Sequence, residues 1–355
     1  MTVTIAPFTI DVGCSHTALA VGCGFYLTRA ELQTALKLGE QCQRLAQSVQ
    51  DPALLIQAHY LLGATLFCLG NITLAREYAE QGTTIYNPQQ YSLRALYGQN
   101  PKVACLFWLA WALWYLGYPD QALEKSHEAL NLAQEISRPY NEAIAFDLLA
   151  FVCQFRREGR AAQEYAEASI ALSTRLGFKF FLEMGTILQG WALVIQGQVE
   201  EGVAQIRRGL AAWRATGAEL CWPYWLALLA EGYGRLGQTE EGLTTLTEAL
   251  NTAHKNGERF YEAELYRLKG ELLLALSQEN QSEAETCFHK AIEVARWQSA
   301  KSLELRVVMS LSRLWQRQGK KEEARKILSE IYGWFTEGFD TRDLKEARGL
   351  IQELS

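Results

Sequence analysis

The sequence predicts an all-α protein, a right-handed superhelix of about seven or eight helix pairs, and three observations carry that prediction. Of its 355 residues 49% are hydrophobic and 21% charged, the balance of a folded chain, and only seven are proline, which leaves room for long helices. Glycines recur at a fixed step: Gly197 and Gly237 stand 40 positions apart, and Gly177, Gly217 and Gly257 form a second series with the same spacing. Between the glycines, apolar residues fall at i, i+3, i+4 and i+7, the rhythm of one helical face. A constant period of that length marks stacked supersecondary units.

Along the chain, residues 1–24 do not follow this grammar and are expected to be an atypical N-terminal segment, disordered or a truncated start. Residues 29–49 form the second helix of a first unit, and hairpin copies follow at 61–82, 108–130, 148–172 (turn shifted by about two residues), 190–210, 228–250, 268–295 and 310–328. The copy at 228–250 shows the logic. Leu226, Leu229, Ala230 and Tyr233 form one face, and Gly237 provides a permissive helix end. Thr239 is placed to cap the next helix, Glu240 and Glu241 complement its positive end, and Leu243, Leu246, Ala249 and Leu250 make its buried stripe. Repeats are expected over 25–331 and a capping helix over 332–355. There Asp340 or Thr341 would start the helix, while Trp334 and Phe335 would cover the last repeat face, as a solenoid end requires.

Small residues recur where two helices of a unit would approach: Gly63, Ala110, Gly190, Ala230 and Gly270 on first helices, Ala75, Ala122, Ala284 and Ala324 on second helices. This pattern resembles the tetratricopeptide repeat, with a period of about 40 in place of about 34. Phrases such as "FYLTRAELQTALKLGEQ", "GLAAWRATGAEL", "FYEAELYRLKGELLL" and "YGWFTEGFDTRDLKEA" narrow the resemblance. They are similar to the C-terminal helical region of bacterial proteins carrying a class III adenylate or guanylate cyclase domain and a signal-transduction P-loop ATPase. That resemblance runs from about Phe25 to the C-terminus. It implies a regulatory tail, with a P-loop ATPase or cyclase domain as partner.

Several function classes are disfavoured. Thirty-four Lys and Arg against 40 Asp and Glu give a net charge of -6, unsuited to a nucleic-acid partner. The eight cysteines (Cys14, Cys23, Cys42, Cys68, Cys105, Cys153, Cys221 and Cys287) contain no CxxC pair and read as buried apolar residues in a reducing compartment. The five histidines, His16, His59, His127, His254 and His289, show no ligand spacing, so neither metal nor cofactor is expected. No phosphate loop occurs, because Gly319-Lys320 is followed by lysine and has no glycine five residues before it. With no nucleophile elbow either, no enzyme activity is expected. The first 28 residues contain no Lys or Arg, which excludes a signal-peptide n-region; the expected location is the cytoplasm, with no membrane partner.

Candidate contact residues are weighed against plain packing. Trp108, Trp111, Trp114 and Tyr115 share helical spacings, which fits core packing first and a ligand-lining face second. Trp222, Tyr224 and Trp225 flank Pro223 at a helix entry, as an inter-repeat plug or a contact surface. Arg156 and Arg157, at a helix end, and Arg207 with Arg208, within a helix, read as solvated faces or as a clamp for a carboxylate or phosphate. The expected function is a non-catalytic protein-protein interaction and sensor module holding a protein or peptide in its concave groove. Alternatives are a small-molecule or inducer sensor, as in the helical-repeat tails of transcription activators, and a fragment of a cyclase gene without independent role.

Overall fold

The computed structural model describes residues 2–5, 8–87 and 99–355, with side-chain surroundings from His16 onward. Within them the chain opens with an antiparallel hairpin, β1 (Thr2–Ile5) and β2 (Phe8–Asp11), paired with Val3 opposite Ile10. Helices then follow: α1 (Val12–Thr28), α2 (Leu32–Ser48), α3 (Pro52–Cys68), α4 (Ile72–Ile85), α5 (Pro101–Tyr115), α6 (Pro119–Ile136), α7 (Pro139–Phe155) and α8 (Gly159–Leu176). The series continues with α9 (Lys179–Ile195), α10 (Val199–Ala215), α11 (Trp222–Arg235), α12 (Thr239–Asn256), α13 (Glu262–Leu276), α14 (Gln281–Trp297), α15 (Lys301–Arg317), α16 (Lys321–Tyr332) and α17 (Arg342–Glu353). Each helix packs on the next, giving eight antiparallel pairs and a terminal helix among the described residues. Of the segment set apart at 1–24, positions 1, 6 and 7 lie outside the described residues; the remainder forms the hairpin and most of α1, which packs on α2 and α3.

Local sequence explains the element ends. Five of the seven prolines sit in the first turn of a helix, at positions 52, 101, 119, 139 and 223, where the missing N–H removes no intrahelical bond. Asp51 and Asn100 cap α3 and α5 with their side chains, accepting from Ala53 N and from Lys102 N and Val103 N. Gly237 takes φ +75° and terminates its helix as expected. Thr239, by contrast, is the first residue of α12, not its cap; Gln238 occupies the cap position without a side-chain bond. Thr341 stands at the cap of α17, but its hydroxyl donates to the Gly338 carbonyl instead.

Within a pair the small-residue positions do what close packing demands. A Cβ on Gly190 would lie 2.9 Å from the Gly202 carbonyl oxygen and from the Ile206 nitrogen, so α9 and α10 touch backbone to backbone. Ala75, Ala122, Ala284 and Ala324 are all fully buried at the equivalent places. First helices such as α3, α5 and α7 are buried nearly all round, whereas the second helices keep one polar face in solvent.

The superhelix is wound tightly enough for its second turn to sit on its first. The last carbonyls of a helix have no intrahelical donor. Here those of the first-turn inner helices are satisfied from four or five pairs further along. The Thr28 carbonyl accepts from Glu219 N and Leu220 N at 2.9 and 3.0 Å, and the Cys68 carbonyl from Arg259 N at 2.8 Å. Beyond them, the Trp114 carbonyl accepts from the Ser302 hydroxyl at 2.5 Å, and the Phe155 carbonyl from the Arg306 guanidinium. Helix α17 continues this stacking: Asp343 accepts from Arg306 at 2.7 Å and pairs with Arg157. Glu337, in the loop before it, accepts from the backbone N–H groups of Asp120 and Gln121 and so caps α6.

Candidate functional site

Stacked turns leave a lumen divided in two by an aromatic wall. Phe67, Trp111, Tyr115, Phe155, Tyr224 and Phe260 meet with ring centroids 5.1 to 6.2 Å apart, drawn from α3, α5, α7, α11 and the loop before α13. Burial of such rings is the largest apolar contribution available to a helical repeat. The Tyr224 hydroxyl is satisfied within the wall by Gln154 at 2.9 Å.

On the second-turn side lies a polar chamber of about 160 Å³. Four arginines (Arg157, Arg267, Arg306 and Arg313) face four glutamates (Glu231, Glu264, Glu271 and Glu346) around it. Arg267 holds Glu264 through two bonds of 2.7 and 2.9 Å. Burial acts to raise the Glu264 carboxyl, but Arg267 and Arg306 outweigh it and hold it below the ordinary carboxylate range. The charges are matched within the chain, as buried ion pairs must be.

On the first-turn side is a chamber of about 340 Å³ of a different character. Helix α1 contributes Gly24, Leu27 and Thr28; α3 contributes Tyr60; α5 contributes Ala104, Phe107, Trp108 and Trp111. The opposite side comes from Tyr140, Ile144 and Phe151 on α7, Phe180, Phe181 and Met184 on α9, Trp213 on α10, and Leu220, Cys221 and Trp225 at the start of α11. Among the described lining residues none is an acid, a base or a histidine. Gln99 hydrogen-bonds Tyr60, whose phenol is pushed far above its ordinary pKa by burial and stays neutral. The described lining can hold apolar matter by dispersion and water exclusion; its polar side chains are the Thr28 hydroxyl, the Tyr60 and Tyr140 phenols, the Gln99 amide and the Cys221 thiol, which burial pushes up.

The residues singled out from sequence separate cleanly. Trp108, Trp111 and Trp225 come together on the apolar chamber. Trp222 does not: its indole N–H donates to Glu248 at 3.3 Å and its ring lies under Arg214 at 4.0 Å. Arg156 is 4% exposed, and its guanidinium is engaged by Asp120, Glu158 and the Pro119 carbonyl. Arg157 belongs to the polar chamber and binds Asp343 and Glu346. Arg207 projects from the exposed face of α10, away from both. The chamber residues that sequence reading passed over, Tyr60, Tyr140, Phe151, Phe180 and Trp213 among them, are spread over four helices, α3, α7, α9 and α10. Only their shared position on inner or adjoining helices links them.

All seven cysteines with described side chains are free and buried, and burial pushes the Cys42 thiol up to about 11. Among the described residues no group of His, Cys, Asp or Glu is arranged to hold a metal, and no helix is long and apolar enough to cross a membrane.

The fold is that of an all-α, TPR-like helical-repeat protein. A family model for the tetratricopeptide repeat matches residues 103–124, in the α5–α6 hairpin. Among solved structures, a Rap protein complexed with Competence and Sporulation Factor is similar over 96% of both chains, with TM-score 0.60 and 11% identity. NprR in complex with its cognate peptide NprX matches over 97% of this chain and 98% of its own, with TM-score 0.57 and 14% identity. Aspartyl phosphate phosphatase F from Bacillus subtilis matches over 99% and 97%, with TM-score 0.52 and 12% identity. At such identities the likeness is one of fold. A curated relative, an uncharacterized protein of Rhizobium meliloti (strain 1021), is 22% identical over 293 residues, which is 82% of this chain and 28% of that protein. The chain therefore spans under a third of that relative's length.

Proposed function

We propose that this chain is a non-catalytic binding and regulatory module whose first-turn chamber receives a ligand and whose stacked turns report its arrival. One observation carries this reading: an aromatic chamber with no charged side chain among its described lining residues, bordered by α1, α3, α5, α7, α9, α10 and α11, with Thr28 and Leu220 both lining it and joined across the seam. An occupant there touches both sides of a superhelical turn. That is the geometry needed to couple binding to the pitch of the superhelix.

A peptide or a segment of a partner protein is the first class of occupant. It is supported by the fold shared with NprR and with the Rap regulator of plasmid pLS20, each solved in complex with a peptide. The resemblance to the tails of cyclase and ATPase signalling proteins makes a P-loop ATPase or cyclase domain, in the cytoplasm, the effector we propose. Hydrogen exchange of the protein with and without the peptide fraction of its host's extract tests this. Protection at Thr28–Leu32, α5 and residues 219–225 is the expected outcome; protection confined to outer helices would refute it. A second reading, a free small molecule, is favoured by the absence of charge among the described chamber residues.

A further inference from the structure

We infer that the peptide bond between Leu220 and Cys221 is a two-position switch, which tightens the seam beside the first-turn chamber in one position and loosens it in the other. Cys221 has φ 62° and ψ 12°, a left-handed conformation that a residue with a Cβ disfavours. The other described non-glycine residues with positive φ, Ala30, Gln50, Ser137, Arg157 and Ser299, each stand one or two positions past the end of a helix, where that conformation is a usual stop. Cys221 instead stands at the entry of α11.

Forty residues on, Tyr261 holds the same place before α13. The two turns share their closing bond: Trp222 N donates to the Glu219 carbonyl at 3.2 Å and Glu262 N to the Arg259 carbonyl at 3.0 Å. Yet Tyr261 has φ -103° and ψ 3°, the third position of a type I turn, whereas Cys221 has the values of a type II turn, a place that favours glycine. The two turn types differ by roughly a half-rotation of the central peptide, so the relaxed form is open to the same framework. Their seam contacts differ accordingly. At Cys221 two amides, Glu219 N and Leu220 N, reach the Thr28 carbonyl; at Tyr261 the Cys68 carbonyl takes the single amide of Arg259 among the described residues.

Glu258 holds the left-handed form. The Cys221 N–H donates to its carboxylate at 2.7 Å, and both residues are buried. Rotating the peptide would turn the Leu220 carbonyl toward that carboxylate in place of the N–H, acceptor against acceptor. Thr28, Leu220 and Cys221 all line the chamber, so an occupant touches both sides of the rotating bond and the residue whose carbonyl it serves. An occupant that favours one position therefore moves the seam. This last step rests on the receptor reading above; the switch itself does not.

Amide hydrogen exchange resolved to single residues, on the full chain without ligand, tests the switch. Rates are read against buried amides of α7, so that changes in global stability cancel. Cys221→Gly and Cys221→Ala both remove the thiol, and glycine is the more stable of the two only where φ is positive. The Glu219 and Leu220 amides are expected to exchange about five- to tenfold more slowly in Cys221→Gly than in Cys221→Ala. Glu258→Met takes away the acceptor and is expected to speed both amides about tenfold, while Glu258→Gln, which keeps one, stays within about twofold of the parent. Equal rates in the two Cys221 variants, or faster exchange in Cys221→Gly, would overturn the switch, as would Glu258→Met behaving like Glu258→Gln. The peptide fraction of the host's extract then tests the coupling. Half-maximal protection of α5 is expected at about fivefold less of the fraction for Cys221→Gly than for Cys221→Ala. The same dose for both would overturn the coupling and leave the receptor reading standing; no protection in any variant or in the parent would sink the receptor reading and leave the switch.

Discussion

Glu258 lies on the seam between the two turns, and replacing it with glutamine should change how the fold responds to pH. Its carboxylate is 1% exposed; one oxygen accepts from Cys221 N at 2.7 Å and the other has no partner. Burial, only partly relieved by that one bond, pushes the carboxyl up from 4.5 to about 8, with the Cys68 and Cys221 thiols as its buried neighbours. Between these values the folded chain holds a proton that the unfolded chain has released. Stability therefore falls as pH rises through this window, by about 1.4 kcal/mol per pH unit. From pH 5 to pH 8 the parent should lose about 4 kcal/mol on this account. Glu258→Gln keeps the acceptor for Cys221 and cannot ionise, so it should lack that loss. Its two amide hydrogens have at most one more donor to satisfy than the protonated acid, a cost of about 1 to 3 kcal/mol that does not vary with pH. The assay is urea unfolding of both proteins at pH 5, 6, 7 and 8. The difference in unfolding free energy should move toward the variant by about 1 kcal/mol or more per unit. Parallel losses in the two proteins would refute the reasoning.

Asp147 obeys the same sign: it is fully buried, and burial, eased only by the nearby Ser169 hydroxyl, pushes its carboxyl well above the usual range. Asp147→Asn should therefore gain stability over the parent as pH rises above about 4, by about 1 kcal/mol per unit, read by the same unfolding series. Two glycine substitutions should diverge. Gly190→Ala forces a methyl into the α10 backbone and should cost about 1 to 3 kcal/mol in spite of better helix propensity, whereas Gly24→Ala meets nothing and should gain up to about 1 kcal/mol; thermal melts decide. Glu337→Ala removes the carboxylate that caps α6 from the C-terminal loop, and should cost about 1 kcal/mol and raise exchange of the Asp120 and Gln121 amides, measured by hydrogen exchange.

Helix pairing was legible because its causes are local. The 40-residue glycine series, the apolar rhythm and the small residues at Gly190 or Ala122 are all satisfied within one hairpin or between neighbours, so a linear reading recovers them. Caps were less legible. Thr239 has the right chemistry for a cap, yet Gln238 takes that position because the helix start is set by the preceding Schellman-type turn at Gly237 and not by side-chain preference. Arg156 and Arg157 were visible as a pair, but their carboxylate partners include Asp120 and Asp343, 36 and 186 residues away. The chamber was half visible: Trp108, Trp111 and Trp225 stand in aromatic clusters, while nothing in the sequence singles out Tyr60, Phe151 and Trp213.

By itself, then, the sequence determined the class of fold, the repeat length and the absence of a written catalytic motif, since each depends on spacing along one chain. Tertiary structure decided that the turns stack, that the lumen splits into an apolar and a charged chamber, and which distant carboxylates meet Arg156 and Arg157. Those outcomes depend on the angle accumulated over five helix pairs. No single repeat encodes that angle, because a small rotation at each interface adds up before distant helix ends meet.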